Sequence, residues 1–146
     1  MASFGKLRPP IWFYVIGVLL LLWGAMGVYA FYADVTMSAA DLAKLPAYDQ
    51  RLLASRPVWF PWLYGASVWS GLIGSALLLA RSAHARWLFI VSLITVVVMF
   101  GFIFIATDLI AVKGVGVAMG FPVFIFAICV LEVWLSGHAI KRRWIG

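Results

Sequence analysis

The stretch from Arg56 to Leu79 reads RPVWFPWLYGASVWSGLIGSALLL. Its middle is apolar enough to cross a bilayer, yet one side carries small residues: Ser67, Gly71 and Ser75 recur every fourth position, with Ala66, Ser70 and Gly74 beside them. Helices in lipid gain little from hydrophobicity against one another, because the tails are already apolar. They associate where small side chains let backbones approach and hydroxyls bond across. The spacing therefore predicts a docking face, and this segment is expected to be the central helix of a small bundle.

The rest of the chain fits that reading. Of 146 residues, 66% are hydrophobic and 11% charged, whereas about a quarter of a soluble domain is charged. Four apolar segments, residues 11–31, 58–79, 87–109 and 117–135, each approach the roughly 20 residues that cross a hydrocarbon core about 30 Å thick. Strands of a membrane barrel would alternate polar and apolar positions, but Val96 to Ala106 is apolar throughout. The expected fold is an all-α, integral membrane four-helix bundle occupying the whole chain as one transmembrane domain, with an outer loop over residues 32–57.

The net charge of +6 is unevenly placed. Lys6 and Arg8 precede the first span, Arg81 and Arg86 separate the second from the third, and Lys141, Arg142 and Arg143 follow the fourth. On the other side Lys44, Arg51, Arg56 and Lys113 are balanced by Asp34, Asp41, Asp49 and Asp108. The positive-inside rule makes the basic face cytoplasmic, placing both termini inside a bacterial inner membrane. Clusters this short, flanking spans, do not form a nucleic-acid surface. Cys129 is the one cysteine, so no internal disulfide forms, and packing is its expected role.

In the outer loop, Ser38 with Asp41 three residues on has the pattern of a helix start, and Pro46 interrupts. Leu42 and Leu45, then Tyr48, Leu52 and Leu53, give two short amphipathic helices an apolar side, expected to lie on the membrane surface as a lid or as a contact for ligand or partner. Aromatics mark both interfaces: Trp59, Phe60, Trp62 and Tyr64 outside, Trp12, Trp87, Trp134 and Trp144 inside. Trp23 and Trp69 fall nearer mid-membrane, where each indole N–H wants a carbonyl or hydroxyl. The third span closes at Thr107-Asp108, and the short Lys113 to Gly116 turn makes the last two spans a hairpin. Gly17 and Gly24, seven apart, are expected to meet the small face of the second span.

Glu132 is the one acidic residue inside a span, and such groups are functional candidates by default. About one turn from Ser136, it is expected to reach the inner interface and pair with Arg81, Arg86 or Lys141 in a structural role; a proton or substrate-cation site is the alternative. Asp108 is a second candidate polar residue. With His84, His138 and Cys129 as the whole set of soft ligands, no conventional metal or haem site is expected, nor any other cofactor. No phosphate loop or nucleophile elbow is present.

The segments WGAMGVYAF (23–31) running into Val35-Thr36-Met37-Ser38, then Arg56-Pro57-Val58-Trp59, then GLIGSALLL (71–79) resemble a family of small, uncharacterised four-span proteobacterial membrane proteins often labelled "sugar transporter". The resemblance covers roughly residues 12–95 and departs from the family pattern at Gly24, where an asparagine is usual. It implies a four-span membrane protein and adds no chemistry. The sequence reading favours an accessory, assembly or structural subunit embedded in lipid, associating with a protein partner or with itself. A small oligomeric transporter or channel is the alternative, and a lipid- or quinone-handling enzyme the third.

Overall fold

A computed structural model describes residues 7–106 and 108–146; Lys6 and Thr107, named above, lie outside the described residues. The chain is all-α. Among the described residues, four helices are long and apolar enough to cross a membrane: α1 (Ile11–Val35), α4 (Phe60–Leu79), α5 (His84–Ala106) and α7 (Val115–Lys141). Between them lie the short α2 (Ala39–Ala43), α3 (Ala47–Ala54) and α6 (Leu109–Lys113).

The ends of these elements follow from local chemistry. Pro10 stands at the N-cap of α1, where its missing N–H costs nothing. Thr36 closes α1 by returning both its backbone N–H and its hydroxyl to the Tyr32 carbonyl. Ser38 caps α2 by accepting from the Asp41 N–H at 3.1 Å, as its pattern suggested. Pro61 sits in the first turn of α4. Gly114, at φ 84° and ψ 155°, separates α6 from α7 in a backbone region that glycine alone occupies freely. The helices outrun their apolar spans: α1 extends to Val35 and α7 to Lys141, since nothing in the flanking residues breaks a helix before Thr36 or Arg142.

The long helices pack in the order α1, α4, α5, α7. α1 and α7 make at most marginal backbone contact. The end holding the described termini is densely packed around Phe13, Leu20, Leu78, Phe89 and Leu135. It is also stitched together: the Leu7 N–H donates to the Arg143 carbonyl, and Arg81 donates through Nε to Trp144 O at 2.9 Å and through Nη2 to Leu7 O at 2.6 Å. Arg8, Arg81, Arg86 and the 141–143 cluster thus share one end of the bundle. Outward-facing side chains such as Ile11, Trp62 and Ile105 are 79–88% exposed, a surface suited to lipid.

The small face of α4 docks, but not as expected. A Cβ at Gly71 would stand 3.5 Å from Ser92 Oγ, and one at Gly74 would stand 2.9 Å from the Phe89 ring, so this face meets α5 rather than α1. α1 lies on the adjacent side of α4, where Gly24 abuts the backbone of Leu72 and Gly17 abuts Leu79. Glycines on one helix need a close neighbour, not small residues opposite them, and leucine backbone serves. The hydroxyls also behave differently. The Ser67, Ser70 and Ser75 hydroxyls donate to carbonyls within α4, Ser67 Oγ also lies 3.8 Å from the Met99 Sδ of α5, and Ser92 of α5 donates across to Ser67 O at 2.8 Å.

The outer loop is fastened at two places. Arg56 holds Asp34 at 3.0 Å and lies over the Phe60 ring at 4.6 Å, closing the base of the loop. Tyr48 donates to Asp108 at 2.9 Å while Lys113 stands 3.6 Å from Asp49, which ties α3 to the connection after α5. The Tyr48 phenol is held above the ordinary tyrosine value of 10.0, first by loss of water where it lies on that connection and next by the Asp108 carboxylate. A raised value favours the protonated, folded form: the bond is intact below pH 10 and is lost as pH rises through the folded value. The tyrosinate absorbance that disappears in Tyr48→Phe is therefore expected to titrate above the ordinary range, and to move back toward it in Asp108→Asn. An unchanged midpoint in Asp108→Asn would dissolve this clamp.

Candidate functional site

Beyond the packed end, the bundle is hollow. A cavity of about 300 Å³ lies between all four long helices. Its lining runs from Phe60 to Gly71 on α4 and from Phe121 to Glu132 on α7, which at about 1.5 Å per residue makes it about 16 Å long. The walls are apolar and aromatic, with Trp23, Phe60, Phe100, Met99 and Phe121 prominent. Trp23 is wedged edge-on against Phe124 at 5.5 Å and tilted against Phe121 at 6.2 Å, so rings rather than backbone span the gap between α1 and α7. Met26 and Phe121 line the cavity and are 55% and 61% exposed, so the cavity meets the outer surface beside these side chains.

Polar groups are few: Arg56 and Tyr64 toward the outer mouth, and Ser67, Ser92, Cys129 and Glu132 deeper. Ser67 and Ser92 line the middle, and Cys129 sits beside the Ser92 hydroxyl. Glu132 lies one turn beyond Cys129, 3% exposed. The expected partnership with a basic residue is not formed. Arg81 is committed to the carbonyls of Trp144 and Leu7, and Arg86 lies against Gly137, beyond Glu132 along α7. Among the described residues the ion pairs are Arg56–Asp34 and Lys113–Asp49, and no hydrogen bond reaches the Glu132 carboxyl. No fully enclosed side-chain oxygen or nitrogen lacks a partner, so the unpaired oxygens of Glu132 border the hollow. The residue points inward because α7 turns this face toward α4 and α5, where the small side chains leave room.

The other candidates divide between the two halves. Trp23, Gly24, Ser67 and Gly71 line the cavity with Glu132, whereas Gly17, Gly74 and Ser75 belong to the packed end. Asp108 is outside, occupied by Tyr48. Trp69 is 47% exposed on the outer surface of α4. Neither the Trp23 nor the Trp69 indole finds the expected hydrogen-bond acceptor among the described residues; Trp23 is held by ring contacts instead. No group of three His, Cys, Asp or Glu that could hold a metal occurs among the described residues. The Arg56–Asp34 pair and the contribution of Met99 and Cys129 to the cavity were not read from the sequence. Asp34 and Arg56 flank the outer loop with opposite charge, the one signal that could have paired them.

The chain is thus a multi-pass, all-α membrane protein with a hollow core. No family model, curated protein or solved structure matches it.

Proposed function

We propose that this chain is the solute-binding subunit of a membrane transport assembly, taking a small molecule into the cavity between its four helices. Glu132 carries the reading. An isolated buried carboxyl without a partner costs free energy, and a bundle that needed only to stand could place an apolar side chain there. Clefts of a few hundred Å³, apolar with a few convergent polar groups, are the usual form of a small-molecule site. The accessory-subunit expectation is kept in the assembly, since the marginal backbone contact between α1 and α7 leaves that edge for a second copy or a partner.

Cys129 offers the test. In purified, folded protein in mild detergent, methyl methanethiosulfonate is expected to label this single thiol through the cavity. Labelling only after unfolding, both of Cys129 and of a second thiol placed on the cavity wall by Ile125→Cys, would mean that solutes do not enter, and the reading would fail.

The proposed setting is a bacterial inner membrane with the basic end in the cytoplasm, as the positive-inside rule requires, and membership of the four-span family it resembles. Tags at residue 1 and residue 146 are expected to report cytoplasm, and a reporter within residues 45–50 to report periplasm. A terminus on the outer side would end this topology.

A further inference from the structure

Resting on the solute-binding reading, we propose that the cavity takes a small organic monocation, a quaternary or protonated amine with an apolar body, seated with its charge beside Glu132. Three observations converge on that chemistry. Among the described residues the carboxyl at the deep end pairs with no cation: Arg81 donates to the Trp144 and Leu7 carbonyls, the Arg86 guanidinium lies against Gly137, and the Arg56 guanidinium at the outer mouth is matched by Asp34 at 3.0 Å. Above the carboxyl the walls are aromatic rings and thioethers, Trp23, Phe100 and Phe121 among them, which suit the apolar body of such a molecule while its charge lies at Glu132. The cavity meets the outer surface beside Met26 and Phe121, which admits a molecule whose body is apolar. An anion would meet Glu132 without a compensating donor. A sugar or other polyol would leave most of its hydroxyls against Val96, Met99 and Ile125. A monocation supplies the one missing charge and nothing the walls cannot accommodate.

The experiment is protection of Cys129, which lies one turn from Glu132, in the full chain in mild detergent. Methyl methanethiosulfonate is the label. Benzyltrimethylammonium and its uncharged carbon isostere, neopentylbenzene, are the competing solutes, so shape is held constant and charge alone differs. The cation is expected to slow labelling saturably, and the isostere to protect about thirtyfold less well, the scale of one buried charge pair. Glu132→Gln is expected to erase the difference between the two solutes, and Glu132→Asp to keep part of it. Equal protection by both solutes, or full protection by the cation in Glu132→Gln, overturns the cation assignment and leaves the solute reading standing. If neither Cys129 nor the thiol of Ile125→Cys reacts in the folded protein, both readings are overturned. If Glu132→Gln loses its monodisperse state, the comparison of the two solutes on the unaltered protein still decides.

Discussion

Gly24→Leu is expected to abolish the monodisperse, heat-resistant form of the protein in detergent. Even the first carbon of a side chain at this position would stand 2.9 Å from Cα and 3.1 Å from N of Leu72, and both are backbone atoms. A flexible side chain can swing away from an intruder, but two packed backbones can separate only by losing contact along their length. Gly24→Ala is expected to cost about 1–3 kcal/mol, and leucine more than that range. Gly71→Ala is the matched control. There the nearest atom is Ser92 Oγ at 3.5 Å, an ordinary contact, and a helix gains about 0.5–1 kcal/mol when alanine replaces glycine, so the change is expected to be neutral or mildly stabilising. Leu72→Ile, which adds a branch at the Cβ facing Gly24, should also lower stability. Melting followed by loss of the monodisperse peak orders the four variants. Were Gly24→Ala to melt with wild type, the α1–α4 contact would not be a determinant of the fold.

Glu132→Leu is expected to move the other way, raising the stability of the empty protein by about 1–3 kcal/mol, the cost of a buried polar group without a partner. Glu132→Gln, which keeps a polar head in the same place, should raise it less. Sites that bind are commonly less stable than they need be, because the groups that wait for a ligand are unsatisfied without one. The pairing of gained stability with lost cation protection separates a binding residue from a structural one, whose removal would lower both. A lower melting temperature for Glu132→Gln would show that the carboxyl has a partner in the folded state.

Helix number, membrane class and the cap at Ser38 were legible from the sequence because each rests on local composition: long apolar runs, proline at helix starts, a hydroxyl before an acidic first turn. The sign of the loop charges was legible as well, but not which would pair, since Arg56 finds Asp34 across 22 positions of chain. The helix pairing was misread for a definite reason. In lipid both Gly24 and Gly71 permit close approach, and spacing says that a notch exists without saying what fills it. Leu72, beside Gly71 on α4, offers its backbone to Gly24. Glu132 was misread because depth along a helix does not reveal which way the side chain turns. Its rotation inward is set by how α7 lies on α5, a tertiary fact.

Arg81 joins the two described ends of the chain through a single side chain, and the Leu7 amide is bonded to the Arg143 carbonyl. Ends held this near can be spliced by a short linker, and the covalent path reopened at an exposed loop, without disturbing the packing between. Cutting at the connection between α2 and α3 would then yield a circular permutant in which the same four spans, in the same bundle, begin and finish on the opposite face of the membrane.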